Sequence, residues 1–356
     1  MGDRLRTESA RPTARAVVVT WNGAHLLPAC LDSLLGQTVA DRLEVVVVDN
    51  ASQDGTPELL RSRYPGVRLV TNPVNLGFAG GVVAGTRDVT ADAVLLLNND
   101  ATLDPDGLER LLATLDAPGN ERVGAVTAKI LLDGWYRERP ARGTVPAGAF
   151  RRGDVDLVPA DPDEPGAVRV VNSTGNVVTR AGAGVDRDWL AVDGTESTDA
   201  DVLGFCGGAA LLRTSALAQV GGFDPDLFLY YEDTDVSWRM RAAGWTVRYE
   251  AGAVARHRHA ASSDAASPLF RYYNTRNSLV VAGRHASLAV VATSAARQVA
   301  GTALAWLRRS EPRPVRVARV RALLHVARRS PRTLAERRAM WRSAAVGRAE
   351  VARYLV

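Results

Sequence analysis

The chain has 356 residues, 46% hydrophobic and 23% charged, which suffices for one large core or two and excludes a disordered chain. Two cysteines, Cys30 and Cys206, exclude a disulfide framework and point to a reducing compartment. The net charge of +5 is unevenly spread: residues 297–356 hold 15 Arg and 3 Glu, a net +12, so an acidic body of net −7 carries a basic tail suited to an anionic membrane surface or nucleic acid.

In chain order, Ala16–Val19 is too short for a signal-peptide core and reads as a first strand, Ala16–Thr20, behind a flexible N-terminus at 1–13. Leu26, Leu27, Cys30, Leu31, Leu34 and Leu35 follow at helical spacing, with Cys30 read as core. Leu43–Val48 is a continuous apolar run, as in a parallel strand covered on both faces. Thr56 as N-cap and Pro57 at the first helical position open a helix to about Tyr64. Val67–Thr71 is a strand, Phe78–Asp88 a helix and Val94–Leu97 a strand. Asp104-Pro105 opens a helix to about Leu115, and Val123–Thr127 is a strand. This alternation predicts an α/β fold with an open, twisted, mostly parallel sheet, binding ligands at the carboxyl ends of its strands.

Residues 131–200, rich in Gly, Pro, Asp and Arg, read as a loop-rich insertion returning to strand near Val168–Val171. A helix near Ser215–Val220, a helix at Thr234–Ala243, a strand at Thr246–Tyr249 and a helix at Ser267–Gly283 complete the body. A domain at 14–285 is then followed by a basic helical extension at 286–356.

Polar clusters abut the apolar runs. Asp49 ends the second strand, where a carboxylate can accept hydrogen bonds from a nucleobase or ribose, or cap the strand-to-helix turn. Gly77, Gly80, Gly81 and Gly85 lie in NPVNLGFAGGVVAGTR, where close backbone approach and a helix N-terminus suit a nucleotide diphosphate. The spacing is not G-x-G-x-x-G and no glycine motif follows strand one, which disfavours a hydride-transfer enzyme. Asn98-Asn99-Asp100 follows an apolar strand, and one carboxylate with neighbouring amides can hold Mg²⁺ or Mn²⁺ through donor phosphates. Glu232, Asp233 and Asp235 crowd a helix start behind Phe228–Tyr231, more acid than a cap requires. His257 and His259 alternate on an extended segment, one a metal or phosphate contact. Arg276, on a helix, binds pyrophosphate or pairs with an acid.

TWNGAHLLPACLDSL, VVDNASQDGT, NLGFAGG, LLNNDATL and GGFDPDLFLYYEDTDVSWRMRAAGW, in this order, resemble the bacterial family 2 glycosyltransferases, most closely the rhamnosyltransferase-type subgroup. The resemblance covers about residues 14–280. It implies a GT-A fold, inversion at the anomeric carbon and a divalent metal, Mg²⁺ or Mn²⁺. Carried over by motif, Thr20, Asn22 and Asp49 contact the nucleotide, and Asn75 and Gly77 line the donor site with Asn98. Asp100 is the surviving acid of the D-x-D metal motif, written N-x-D here. Asp233 is the catalytic base, with Glu232 beside it, and His257 a further metal or diphosphate contact.

The expected activity is transfer of a hexose, first L-rhamnose from dTDP-L-rhamnose, to a glycan or polyprenyl-linked acceptor in cell-wall or surface polysaccharide synthesis. A sugar-phosphate nucleotidyltransferase would want a Gly-rich loop and a lysine after strand one, and Thr20-Trp21-Asn22-Gly23-Ala24 supplies neither. Without a zinc pattern or an aromatic-basic stripe, nucleic acid is not the expected partner. Ser287–Leu307 is long enough to cross a bilayer but carries a central Arg297. Val317, Val320, Leu324 and Ala327 recur at helical spacing among arginines, either as a helix lying on an anionic membrane or as a subdomain packed on the acidic body. The expected location is the cytoplasm, peripheral to the inner face of the plasma membrane.

Overall fold

A computed structural model describes residues 13–258 and 267–356; the expected N-terminal segment up to residue 12, and His259, lie outside the described residues. The alternation of the first half is observed as β1 (Ala14–Thr20), α1 (Leu27–Leu35), β2 (Leu43–Asp49), α2 (Thr56–Arg63), β3 (Arg68–Thr71), α3 (Gly77–Gly85) and β4 (Ala93–Leu97). A short β5 (Ala101–Leu103), α4 (Gly107–Asp116) and β6 (Val123–Leu132) follow. One cap differs from expectation. Gly55, left-handed at φ 83°, caps α2, and the Thr56 hydroxyl instead donates to Asp54 Oδ1 at 2.6 Å.

Residues 131–200 are loop-rich, as expected, but they also carry short strands that the sequence did not show. β7 (Trp135–Pro140), β8 (Phe150–Arg152) and β9 (Val155–Ala160) form a small antiparallel sheet. Its core of Leu132, Tyr136, Leu157, Val170 and Leu190 is separate from the others. β10 (Val171–Ser173) pairs with β6, and β11 (Asn176–Val178) with β12 (Gly184–Asp186) makes a hairpin. Strands this short give no alternation long enough to read from sequence.

The chain continues with β13 (Asp201–Val202), β14 (Ala209–Arg213), α5 (Thr214–Gln219), α6 (Glu232–Ala242) and β15 (Thr246–His257). β15 runs well beyond the expected Tyr249 and carries His257 at its end. The main sheet has the order β13-β15-β6-β14-β4-β1-β2-β3, mostly parallel, with β14 antiparallel to β4 and β6 and β13 antiparallel to β15. Helices α7 (Pro268–His285), α8 (Leu288–Arg308), α9 (Arg313–Arg342) and α10 (Arg348–Val351) follow.

Successive strand residues point to opposite faces, and both faces are covered, which explains the unbroken apolar runs. Val18, Val45, Val47, Leu95 and Leu97 join one core with residues of α1 and α4; Val17, Val46, Val48, Val94 and Leu96 join another with residues of α3, α5 and α6. Each such side chain contributes about 1.5–3 kcal/mol by leaving water. Helix α3 lies tight on β1, since a Cβ on Gly81 or Gly85 would stand 2.4 Å from Val19 Cγ1 or 2.6 Å from Val17 Cγ1. That contact, not a ligand, accounts for these two glycines.

The basic extension shares a third core with the body, in which Tyr231 and Trp238 of the α6 region meet Val280, Val281, Val290 and Val351. The C-terminal residue returns to the hairpin, Val356 N–H donating to Val178 O at 3.0 Å. Tail arginines meet body acids: Arg329 and Arg332 lie 3.0 and 2.7 Å from Asp226. The buried face of α9 is Val315, Ala318 and Ala322, while Leu324 and Ala327 of the expected apolar stripe are exposed. Among the described residues, α8 is the one helix long and apolar enough to cross a membrane.

Candidate active site

The rim of the site forms where β1, β2 and β4 end side by side, Thr20 being paired with Asp49 in the parallel register. The Asp49 carboxylate is buried and accepts the Ser52 N–H at 3.2 Å, so it does shape the turn after β2. Asn22, left-handed at φ 51°, donates its N–H to Ser52 Oγ and accepts the Gln53 N–H, both at 2.8 Å. Thr20 Oγ1 accepts from Asn99 Nδ2 at 2.9 Å. Asn50 Nδ2 donates to Gly77 O at 2.9 Å, and Asn75 Oδ1 accepts the Gly77 N–H at 2.8 Å. Thr20, Asn22, Asp49, Asn75 and Gly77 thus belong to one hydrogen-bonded set of loops. Gly77 has φ 68°, and a Cβ there would lie 2.3 Å from Phe228 O, so only glycine fits.

Register also fixes the second cluster. β15 pairs with β5 so that His257 faces Ala101, which brings His257 to Asp100. His257 Nδ1 meets Asn172 Oδ1 at 2.7 Å, and Nε2 lies 3.3 Å from Asn98 Nδ2 and 3.0 Å from Asp100 Oδ1. His257 Nε2 thus stands between the Asn98 amide and the Asp100 carboxylate. Both Asp100 oxygens are buried and accept no hydrogen bond. A carboxylate so placed is costly unless a cation meets it, so the donor set fits a divalent ion. Asn98 and Asn172 then orient the histidine. Among the described residues no group of three or more His, Cys, Asp or Glu forms a metal cage, so further ligands must come from a bound molecule.

The three acids of α6 have three different surroundings. Asp235 is buried and ringed by Arg239 at 2.7 Å, Arg284 at 3.0 Å and His285 at 2.8 Å. Burial pushes its carboxyl up, but Arg239, the His285 hydrogen bond and Arg284 hold it well below the usual range. Glu232 is buried, its Oε2 has no partner, and burial with the neighbouring Asp233 charge pushes it well up. Asp233 is half-buried and has no cation within ion-pair distance among the described residues. It accepts N–H bonds from Gly207 at 3.1 Å and Thr234 at 2.6 Å. Burial raises its carboxyl against those bonds. A fixed, raised, cation-free carboxylate is what a general base requires.

The loop leading into α6 is strained. Phe228, Tyr230 and Tyr231 all have left-handed φ, at 64°, 69° and 71°, which bulky residues rarely adopt. Asn277 holds it by donating Nδ2 to the carbonyls of Leu227, Leu229 and Tyr230 at 2.8, 2.9 and 2.7 Å. Arg276 donates to Asp226 O and to Asn277 Oδ1 and stacks 5.1 Å from the Tyr273 ring centroid. Its guanidinium is thereby engaged with the loop that packs against Gly77.

Other residues of the site were not singled out from sequence. Asn176 donates Nδ2 to Thr234 Oγ1 at 2.8 Å and reaches Asp233 Oδ1 at 3.5 Å. Asp186 is paired with Asn176 across the hairpin, so their side chains share a face. Burial pushes its carboxyl up to about 6, the Asp233 charge adds to this, and Ser173 and Cys206 oppose it by hydrogen bonding. Asn172 and Ser173 directly follow Val170-Val171, so the rule that marked Asp49 and Asp100, polar residues at the end of an apolar strand, points to them, while Asn176 stands beyond its reach.

The chain matches two family models, one described as glycosyl transferase family 2 over residues 16–176 and one as glycosyl transferase family group 2 over residues 166–306. An N-acetylglucosaminyl-diphospho-decaprenol L-rhamnosyltransferase of Mycobacterium tuberculosis is 29% identical over 287 residues, 76% of this chain and 84% of that protein. Among solved structures, GalNAc-T7 with UDP, GalNAc and Mn²⁺ has a TM-score of 0.58 at 14% identity, covering 81% of this chain and 51% of that one. A mannosyltransferase from Pyrobaculum calidifontis with GDP-Man and Mn²⁺ has a TM-score of 0.50 at 20% identity, covering 90% and 87%. These structural likenesses identify the GT-A fold.

Proposed function

The chain belongs to the family 2 glycosyltransferases and is a nucleotide-sugar-dependent enzyme; from that premise we propose that it transfers L-rhamnose from dTDP-L-rhamnose, with inversion, to a hydroxyl of a lipid-linked glycan. The observation that carries the reading is Asp233: a half-buried carboxylate held by two backbone N–H groups, with no cation within ion-pair distance among the described residues. The donor and acceptor follow the named activity of the mycobacterial relative.

In this reading the loops of Thr20, Asn22, Asp49, Asn75 and Gly77 seat the nucleotide, and Asn98 orients His257. Asp233 takes the proton of the acceptor hydroxyl as that oxygen attacks the anomeric carbon, and a single displacement inverts it. Asn176 and Asp186 flank the base on the hairpin side, where they orient the acceptor hydroxyl. Asp100 and His257 would hold a divalent cation, Mg²⁺ or Mn²⁺, the metal of both structural neighbours being Mn²⁺. When bound, such an ion supplies charge stabilisation to the departing diphosphate. The protein acts in the cytoplasm at the inner face of the membrane, where such acceptors are built.

The test is a thermal-shift panel of nucleotide sugars with Mn²⁺ or Mg²⁺, followed by a transfer assay to a GlcNAc-diphosphoryl-prenyl acceptor with NMR of the product anomer. Stabilisation by dTDP-L-rhamnose above the UDP- and GDP-sugars, and a product of inverted configuration, are expected. Preferential stabilisation by another nucleotide sugar overturns the donor, and a retained anomer overturns the single displacement.

A further inference from the structure

A cavity of about 210 Å³ lies between α8, the start of α9 and the turn joining β11 to β12. Gly182, Ser294, Arg297, Gln298 and Arg319 line it. Two arginines, Arg297 and Arg319, make its lining basic. Arg319 grips Glu311 through two bonds of 2.7 Å, but Arg271 also lies 3.4 Å from that carboxylate, so the trio sums to one positive charge. Arg297 adds a second, and it makes no ion pair or hydrogen bond among the described residues. Arg297 and the Arg319 guanidinium, beside Ser294, Gln298 and the backbone of Gly182, suit a diphosphate better than a sugar or an apolar group.

The cavity adjoins the base. Gly182 is two residues before Gly184, whose N–H donates to Tyr231 Oη at 3.1 Å and whose Cα packs against the Tyr231 ring and Thr234. Tyr231 opens the turn that carries Asp233, and Asp186 ends the same strand as Gly184. On the other side, α8 buries Val290, Ser294, Thr302 and Ala305 and turns Leu288, Val299, Leu304 and Leu307 outward, between 45% and 81% exposed. Arg297 is the one charge between Leu288 and Leu307, and helical spacing puts it at the border of the outward face and the cavity. A cation at such a border, with an apolar strip beyond it, matches a head group joined to a long hydrocarbon.

We propose that this cavity binds the diphosphate of a polyprenyl-linked acceptor, with the prenyl chain running out along the exposed face of α8. The proposal rests on the lipid-linked acceptor reading above and gives it an address: diphosphate at Arg297, prenyl chain along α8, and the linked sugar toward Asp233.

The probe is farnesyl diphosphate, titrated into the full chain saturated with dTDP, UDP and Mn²⁺ so that the donor site is filled. Wild type should bind it alongside the nucleotides. Arg297→Gln should weaken it about tenfold, the scale of one lost charge-assisted contact, and Arg297→Lys should keep most of the affinity. Farnesol, lacking the diphosphate, should not distinguish the variants, and nucleotide binding should be unchanged because Arg297 is exposed and outside the donor loops. Equal farnesyl diphosphate affinity in Arg297→Gln, or displacement of the nucleotides by this probe, overturns the proposal. If Arg297→Gln loses adsorption to phosphatidylglycerol vesicles but not farnesyl diphosphate, the cavity serves a lipid head group and the diphosphate assignment falls. If farnesyl diphosphate does not bind while a GlcNAc-diphosphoryl-prenyl acceptor is still turned over, the cavity is refuted and the acceptor reading stands.

Discussion

Asp233 and Asp235 stand two residues apart on the first turn of α6, yet they belong to different chemistries. Asp235 looks inward to Arg239, Arg284 and His285 and ties α6 to α7. Asp233 looks toward the hairpin and is met by backbone N–H groups. The same contrast separates Asp235 from Asp100, whose oxygens accept no hydrogen bond and lie beside His257 Nε2, 3.0 Å from Oδ1. At Asp235 the protein itself supplies the compensating charge, as in a structural carboxylate, whereas Asp233 and Asp100 stand at the ends of their elements without it.

The strongest effect on the whole fold should come from Asp235→Asn. Removing one partner of a buried charge network costs about 3–5 kcal/mol, read by denaturant unfolding. The Asp235 carboxyl is depressed, so its contribution is present above the unfolded carboxylate pKa and lost as the pH falls toward the folded value. Asp235→Asn should lack that acid-side loss. A variant as stable as wild type would erase the contrast with Asp233.

Asp100→Ala should spare the fold and remove the metal-dependent part of nucleotide-sugar affinity. A loss of about tenfold or more, ~1.4 kcal/mol per decade, is expected by calorimetry with Mn²⁺, and none in EDTA. His257→Ala should give a milder form of the same defect. Equal wild-type affinity with and without divalent ion would remove the role given to both residues.

Glu232→Gln sharpens the comparison within the acidic turn. Glu232 is raised by burial, so the folded state holds its proton more tightly than the unfolded chain. Wild-type stability therefore falls as the pH rises above about 4.3, the ordinary glutamate value. Glu232→Gln should remove that slope, gaining stability at neutral pH and nothing below pH 4, with transfer largely retained. A stable but inactive Glu232→Gln would move the base from Asp233 to its neighbour.

The smallest effect is expected from Asp186→Asn. Its charge and that of Asp233 oppose each other's ionisation. Removing it should let Asp233 ionise at lower pH, moving the acid limb of kcat/KM downward by less than about one unit. An upward shift would contradict the coupling.

Legibility in the sequence divides along the same lines. The apolar runs of β1, β2 and β4 exposed both the parallel sheet and the polar residues at its ends, because burial on two faces leaves an unbroken signature. The hairpin carrying Asn176 and Asp186 was opaque: its strands have three residues each and sit among glycines, so no period develops. The fates of Glu232, Asp233 and Asp235 were unreadable for another reason. They are decided by Arg284, His285 and Gly207, residues brought near only by folding. Arg276 could bind a pyrophosphate or pair with an acid by its type alone, and the fold shows its guanidinium donating to the Asp226 carbonyl.

The most direct test of the central claim is Asp233→Asn, measured for transfer rate, nucleotide-sugar binding and melting temperature in one preparation. The account predicts a kcat lower by ~10²–10⁴, the loss of a general base, with donor affinity and melting temperature close to wild type. Near-normal turnover, or a fall in melting temperature like that of Asp235→Asn, would contradict it.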